Sequence, residues 1–115
     1  MAKVFSIHSL DLRPGVQEAE FERFVREKLL SLVDFPGEKL SVLKGDRGER
    51  AGKYAILVEI DSVETRDRYY PGDGLSAEAQ ALVAQQENWQ KIADEFGTYI
   101  TDSITDYVQL FVGPT

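Results

Sequence analysis

The sequence contains no cysteine and only one histidine, and these two shortages exclude several kinds of chemistry. Without cysteine the chain can form no disulfide, no thiolate zinc site and no cysteine nucleophile. One histidine leaves mainly carboxylates as metal ligands, and no spacing of aspartate and glutamate resembles a calcium-binding loop. We therefore expect no metal site and no bound cofactor.

Long apolar runs and an excess of positive charge are also missing. No run approaches the roughly 20 residues of a membrane-spanning helix, and the opening Met-Ala-Lys-Val leads into no secretory hydrophobic region. The net charge of −7 argues against a phosphate backbone as partner, because nucleic-acid-binding proteins need basic patches. The sequence thus predicts a cytoplasmic protein that binds neither membranes nor nucleic acids.

The composition that is present is typical of a folded protein. With 43% hydrophobic and 29% charged residues, the chain can form a modest core under a solvated surface. Its 115 residues are enough for one such core. We expect a single domain that covers residues 1–115.

Apolar periodicity predicts the order strand, helix, strand, strand, helix, strand. The predicted strands cover residues 3–12, 39–44, 53–60 and 106–112, and the predicted helices cover residues 16–33, 62–70 and 76–96. Asp61 is a candidate N-cap with Glu64 three residues later, and Ser76 is another candidate. The proline and glycines of residues 71–74 split the second helical region, and Gly97 is expected to end it.

This order predicts an α+β fold, the ferredoxin-like plait. One β-hairpin and two right-handed crossovers give a four-stranded antiparallel sheet with both helical regions on one face. The expected strand order is fourth, first, third, second. One face of the sheet is then left uncovered, because the helices can pack against only one side.

Alternation along the strands predicts which side chains occupy each face. The residues expected under the helices are Phe5, Ile7, Tyr54, Ile56, Val58, Ile60, Val108, Leu110 and Val112. The residues expected on the open face are Val4, Ser6, His8, Leu43, Ala55, Leu57, Glu59, Tyr107, Gln109 and Phe111. Such a face is too apolar to be left in water, so it should meet unstacked bases or the same face of a second subunit.

The base-binding alternative is disfavoured by the third predicted strand. Its sequence, KYAILVEI, is similar to a signature strand of RNA-recognition motif domains, which carries aromatic residues at its third and fifth positions. Here those positions hold Ala55 and Leu57, and Glu59 on the same face would repel phosphate. The second subunit is therefore the expected partner.

The chain resembles the dimeric α/β-barrel superfamily over nearly its whole length. The matching pieces are LRPG at the end of the first strand, the helix VQEAEFERFV, and VEIDSVETRDRYYP after the hairpin. The resemblance implies two ferredoxin-like sheets that close a barrel between two subunits. Members of the superfamily include cofactor-free quinol or anthrone-type monooxygenases, haem-degrading enzymes and stress-responsive proteins. The haem-degrading members use a helical histidine, which the predicted helices lack.

His8 is the candidate catalytic residue, because histidine exchanges protons near neutral pH. We expect it beside Tyr107 of the last strand, where the pair could take a proton from a phenolic ligand and hold the anion. The expected ligand contacts are Ser6, Leu43, Leu57, Glu59, Gln109 and Phe111. Two functions stay open: a monooxygenase-like enzyme for a small hydrophobic or phenolic ligand, and a non-catalytic stress-related or structural dimer.

Overall fold

A computed structural model describes residues 2–114 and places four strands in one antiparallel sheet. The strands are β1 (Val4–Leu12), β2 (Glu38–Lys44), β3 (Tyr54–Ile60) and β4 (Ile100–Val108). Their order in the sheet is β2-β3-β1-β4, and all neighbours are antiparallel. The predicted ferredoxin-like plait and its strand order are confirmed.

Four α-helices connect these strands. They are α1 (Glu18–Glu27), α2 (Val63–Tyr69), α3 (Ala77–Ala84) and α4 (Trp89–Tyr99), with a single 3-10 turn at Leu29–Ser31. Within residues 2–114, no helix combines the length and the apolar character that crossing a membrane requires.

Serine hydroxyls begin two of the helices. The Ser62 side chain accepts a hydrogen bond from the Thr65 N–H, so the cap of α2 is Ser62 and not the predicted Asp61. The Ser76 side chain accepts from the Ala79 N–H, which confirms the predicted cap of α3. Between the two helices, the predicted break at residues 71–74 is confirmed, and Gly72 and Gly74 have positive φ angles of 144° and 75°.

The helical regions differ from the prediction in length. The first region ends as an α-helix at Glu27, short of the predicted residue 33. The predicted helix 76–96 is two helices, and α4 continues through Gly97 to Tyr99 before entering β4 directly. Gly97 does not end the helix, because its backbone keeps helical geometry and needs no left-handed cap.

The main core lies between the sheet, α1 and α4. Phe21 of α1 is fully buried, and its ring centroid lies 4.9 Å from that of Tyr54 on β3. The buried members of this cluster are Leu10, Phe21, Phe24, Val25, Leu29, Tyr54, Ile56, Ile92 and Ile100. A smaller cluster of Phe35, Tyr69 and Ala79 lies beneath α2 and α3.

The predicted faces of β1 are reversed in the structure. Val4 and Leu10 are fully buried, and His8 pairs with Ile56, a core residue of β3. Val4, Ser6 and His8 therefore lie on the helix-covered face, and Phe5 and Ile7 lie on the open face. Both alternating sets of β1 contain apolar side chains, so alternation alone does not show which set faces the helices. The pairing of β1 with β3 shows it.

The last strand also begins earlier than predicted, at Ile100 rather than residue 106. β4 is an edge strand, and every residue after Ile100 is exposed, so its sequence lacks the apolar alternation of a covered strand. Val108 is on the helix side, as predicted, because it pairs with Val4. Leu110, Phe111 and Val112 lie beyond the strand, and the prediction that Leu110 and Val112 lie under the helices is wrong.

Candidate functional site

β1 and β4 place His8 in a short row of polar side chains on the helix side of the sheet. The Ser6 Oγ lies 3.4 Å from the His8 Nε2, and the His8 Nδ1 lies 3.7 Å from the Asp102 Oδ2. Asp102 pairs with Leu10, so its side chain projects to the same side as those of Ser6 and His8. We call these three residues the His8 row.

The order of the His8 row suits a general base. When Nδ1 carries the ring hydrogen and directs it towards the Asp102 carboxylate, the lone pair of Nε2 is left to accept a proton. The Ser6 hydroxyl can donate a hydrogen bond to this Nε2. The same carboxylate would stabilise the imidazolium after protonation. The His8 side chain is 23% exposed and that of Asp102 is 37% exposed, so the row is partly open to solvent.

An arginine that bridges two carboxylates lies next to the His8 row. Arg66 of α2 donates from Nη1 to the Asp106 Oδ2 at 2.9 Å and from Nε to the Asp67 Oδ1 at 2.8 Å. These hydrogen bonds raise the pKa of the Arg66 guanidinium, which therefore stays cationic. Asp106 pairs with Ser6 on β1, so Arg66 is held over the end of the row.

The remaining neighbours of the row are apolar and open to solvent. Ile104 pairs directly with His8 and is 55% exposed, and Val108 lies further along the same face of β4. The helices leave this part of β4 uncovered. An apolar ring could therefore rest on Ile104 with its acidic proton near His8 and its oxygen near Arg66.

Tyr107 is not near His8. It pairs with Phe5 and projects from the open face, so the sheet separates it from the His8 ring. The predicted His8–Tyr107 pair is wrong for two reasons. The faces of β1 are reversed, and β4 begins earlier, which moves Ile104 into the position expected for Tyr107.

The predicted ligand contacts fall in three different places. Leu43, Leu57 and Glu59 lie on the open face, as the pairing of β2, β3 and β1 requires. Ser6 belongs to the His8 row. Gln109 lies past the end of β4, where its N–H donates to the Lys3 carbonyl at 2.9 Å, and Phe111 is 92% exposed. The structure thus brings no single site together from this set.

Two residues of the site, Asp102 and Arg66, were missed by the sequence reasoning. Asp102 lies in the segment 100–108, most of which precedes the predicted last strand at residues 106–112. Ile100, Ile104 and Val108 do recur there at even spacing, with Asp102 and Asp106 between them. This weak period of two was the available signal for a strand.

The open face has an apolar centre between charged and hydroxyl groups. Leu57 lies between Ile7 on β1 and Ser41 on β2, and Glu59 lies between Phe5 and Lys39. Phe5, Ile7 and Leu57 are only partly covered by their neighbours. On β1, Phe5 and Ile7 thus take the open-face places predicted for Ser6 and His8, while β4 contributes Ser103, Thr105 and Tyr107 to this face.

A second polar group lies at the start of β2. The Tyr70 hydroxyl donates to the Glu38 Oε1 at 3.1 Å. Burial raises the pKa of Glu38 to about 7 against the opposing effect of this hydrogen bond, and the charge of Asp34 adds to the rise. Glu38, Glu59 and Asp61 line a cavity of about 230 Å³.

No group of three or more histidine, cysteine, aspartate or glutamate side chains in residues 2–114 could hold a metal ion.

The raised pKa of Glu38 predicts a pH-dependent stability. Folding favours the protonated carboxyl, so this contribution is present below about pH 4.5 and is lost as the pH rises through about 7. Glu38→Gln removes a carboxylate that is unfavourable at high pH. We therefore expect the substitution to raise the free energy of unfolding by about 1 kcal/mol more at pH 8 than at pH 4.5. This figure allows for partial solvent screening of Glu38. Urea unfolding at both pH values measures this difference. Glu64→Gln, at an exposed site on α2, is the control, and an effect of Glu38→Gln that does not change with pH would contradict the prediction.

No protein-family model and no curated protein sequence matches the chain. Several solved structures match its fold. SnoaB, a cofactor-independent oxygenase from Streptomyces nogalater, is 12% identical over 100% of both chains, with a TM-score of 0.63. The chain has the ferredoxin-like fold.

Two further structures agree with this assignment. A NIPSNAP-like domain protein from Burkholderia xenovorans is 15% identical over 98% of this chain and 90% of its own, with a TM-score of 0.62. A dimeric protein of unknown function with a ferredoxin-like fold from Bacteroides fragilis is 20% identical over 91% of this chain and 94% of its own, with a TM-score of 0.50. The resemblance to ferredoxin-like, monooxygenase-like proteins drawn from the sequence is confirmed at the level of the fold.

Proposed function

We propose that the protein binds a small phenolic or anthrone-like compound on the helix side of β1 and β4 and removes its acidic proton with His8. The observation that carries this proposal is the His8 row, in which Asp102 lies at one ring nitrogen and Ser6 at the other. A carboxylate at one ring nitrogen and a hydroxyl at the other is the arrangement of a general base. Tyr107 has no part in this step.

The proposed step divides the work between charged and apolar groups. The proton passes from the ligand to the His8 Nε2, and Asp102 stabilises the resulting imidazolium. We assign the stabilisation of the oxyanion that forms on the ligand to the Arg66 guanidinium, which Asp106 holds beside Ser6. Ile104 and Val108 offer an apolar surface for the rings.

The proposed reaction class is oxygenation without a cofactor. Proton removal from an anthrone gives an electron-rich anion that can add dioxygen, and the resulting peroxide takes a proton and loses water to leave a carbonyl group. One methylene group and one dioxygen thus give one carbonyl group and one water. SnoaB, which shares the fold, is a cofactor-independent oxygenase, and this supports the choice of reaction.

The test uses dithranol, a dihydroxyanthrone, as the probe. We expect the wild-type protein to accelerate oxygen uptake, and His8→Gln to lower that rate by about 100-fold. Asp102→Asn should lower it by a smaller factor, and Tyr107→Phe, on the other face, should leave it unchanged. A wild-type rate equal to that of buffer, or full activity in His8→Gln, would favour the non-catalytic dimer.

The single histidine gives this test a second readout that needs no turnover. His8 contributes the one set of imidazole signals in an NMR spectrum of the chain. We expect its Nδ1–H tautomer to be favoured in the wild type and to lose this preference in Asp102→Asn, with Asp106→Asn as the matched control. Identical tautomer ratios in all three proteins would remove Asp102 from the proposal.

We further propose that the protein is a homodimer in which the two open faces pack together. The partly exposed Phe5, Ile7 and Leu57 support this arrangement, since apolar side chains at the centre of an uncovered sheet favour association. The dimeric state of the Bacteroides fragilis protein of the same fold also supports it. The His8 row lies outside this interface, so each subunit would carry its own site.

A further inference from the structure

The Ser6 hydroxyl forms and breaks no bond to carbon in the proposed proton transfer. Its Oγ lies 3.4 Å from the His8 Nε2, and the residue is 8% exposed. Other serine hydroxyls of the chain have structural partners: those of Ser62 and Ser76 cap helices, and that of Ser31 donates to a backbone carbonyl. The partner of Ser6 is instead the only imidazole in the sequence.

The three side chains of the His8 row have the order of a nucleophile, a base and an orienting carboxylate. His8 presents Nε2 to the hydroxyl of Ser6 at 3.4 Å and Nδ1 to the carboxylate of Asp102 at 3.7 Å. In this order the imidazole takes the proton of the hydroxyl as its oxygen attacks, and the carboxylate stabilises the imidazolium. Both distances exceed those of a tight hydrogen bond, as is common for such groups before a substrate is bound.

The sheet register brings these side chains together from two strands. Ser6 and His8 are two positions apart on β1, so they project from the same face. Asp102 lies on β4 opposite Leu10, two positions beyond His8, and therefore projects from that face as well. His8 thus lies between a hydroxyl on one side and a carboxylate on the other.

A guanidinium lies at the Ser6 end of the row. Asp106 is the direct cross-strand partner of Ser6, and its Oδ2 accepts from the Arg66 Nη1 at 2.9 Å. The other hydrogen bond of Arg66 uses Nε, so Nη2 has no partner among residues 2–114. Directly opposite residues of an antiparallel sheet have Cβ atoms about 4.5–5.5 Å apart, so Asp106 holds the guanidinium beside Ser6.

We propose that Ser6 is a nucleophile that accepts an acyl group, and that the His8 row hydrolyses small aryl esters. The Ser6 oxygen bonds to the ester carbonyl carbon while His8 takes its proton, and Arg66 stabilises the oxyanion. The bond between this carbon and the phenol oxygen then breaks, and His8 returns the proton to the leaving oxygen. Water releases the acid from Ser6 by the same two steps. One ester and one water thus give one phenol and one carboxylic acid.

Two apolar residues of β4 favour an aromatic leaving group. Ile104 and Val108 are exposed on either side of Asp106, on the face that carries the row. An aromatic ring can lie on them while the acyl carbon meets Ser6. This activity uses the same row as the proposed oxygenation but goes beyond it, because it needs no dioxygen and the proton comes from Ser6.

Hydrolysis of p-nitrophenyl acetate tests this activity. We expect the wild-type protein to release p-nitrophenol faster than buffer does, and to carry an acetyl group that mass spectrometry maps to Ser6 after an acid quench. Ser6→Ala and His8→Gln should each lower the rate by about 100-fold, and the double variant should lower it no further, because the two groups act as a unit.

The control for hydrolysis is Ser103→Ala. Ser103 is an exposed serine of β4 on the opposite face, so this variant should keep the wild-type rate. Full activity in Ser6→Ala together with its loss in His8→Gln would mean that the imidazole attacks the ester alone, and would overturn the role of Ser6. A wild-type rate equal to that of buffer would overturn the activity itself.

A thiol at position 6 gives a second readout that needs no turnover. Ser6→Cys introduces the only cysteine of the chain, and a histidine beside a thiol lowers its pKa below the usual value of about 8.5. We expect iodoacetamide at pH 6 to alkylate Ser6→Cys at least about 10-fold faster than Ser6→Cys/His8→Gln, with Ser6→Cys/Asp102→Asn between them. Alkylation of Ser103→Cys should not depend on His8.

Equal alkylation of the position-6 thiol with and without His8 would overturn the proposed pair of nucleophile and base. Alkylation and ester hydrolysis involve neither dithranol nor dioxygen. Failure of the ester activity can therefore be distinguished from failure of the proposed oxygenation.

Discussion

Replacing Leu57 with glutamate is expected to convert the proposed dimer into folded monomers. Leu57 lies at the centre of the open face, between Ile7 and Ser41. In a face-to-face dimer the new carboxylate would be removed from water without a cation, which costs several kcal/mol. The dissociation constant should therefore rise by at least about 100-fold.

Light scattering over a range of protein concentrations measures this change. Val33→Glu adds the same charge at a position that is 70% exposed and away from the open face, so it should leave the dimer intact. Leu57 is only partly buried in the subunit, and circular dichroism should show native secondary structure in the monomer. If Leu57→Glu unfolds the chain, Leu57→Asn tests the same interface with a neutral polar side chain in place of a charged one. A native-like Leu57→Glu dimer would contradict the interface.

The substitution Gly45→Ala is expected to lower the free energy of unfolding by about 3 kcal/mol. A Cβ atom on Gly45 would lie 2.0 Å from the Arg50 carbonyl oxygen and 3.1 Å from the Ala51 Cα. Both are backbone atoms of the hairpin between β2 and β3. The Gly45 N–H donates to Lys53 at 2.7 Å, so the turn cannot open without losing hydrogen bonds.

The hairpin is also tied to the middle of the sheet. The Arg50 Nη2 donates to the Leu10 carbonyl at 2.8 Å and to the Tyr54 carbonyl at 3.2 Å, so a shift of Arg50 would disturb β1 and β3. Urea unfolding measures the loss. Gly97→Ala in α4 is the matched control, because no atom lies within 4 Å of its Cβ position and alanine favours a helix by up to about 1 kcal/mol. A loss in Gly45→Ala below about 0.5 kcal/mol would contradict the predicted clash.

The sequence was sufficient to predict the elements that bury one apolar face. The alternation of Tyr54, Ile56 and Ile60 identified β3 and its core side, and the structure confirms both. The proline and glycines at residues 71–74 identified the break between α2 and α3 for a local reason, since few residues tolerate those backbone angles. Together with the hairpin, these elements determine the strand order.

The candidate site could not be predicted in the same way, because it depends on contacts between strands. His8 was recognised as the only histidine, but its partners follow from the register that pairs it with Ile56 and Ile104. β4 is exposed on both sides beyond Ile100, so nothing in its composition required a strand or placed Asp102 beside His8. The expected partner Tyr107 was therefore assigned from an incorrect strand boundary.

The reversed faces of β1 determine which mutations of this strand can alter one proposed property without the other. Neighbouring side chains of one strand serve different ends: His8 and Ser6 point towards the proposed chemistry, while Phe5 and Ile7 point towards the proposed partner. A one-residue slip of β1 would exchange these roles, hiding the base between subunits and burying a phenylalanine in the space of Ser6. Insertions in β1 should thus abolish catalysis and self-association together, whereas point substitutions can alter either one alone.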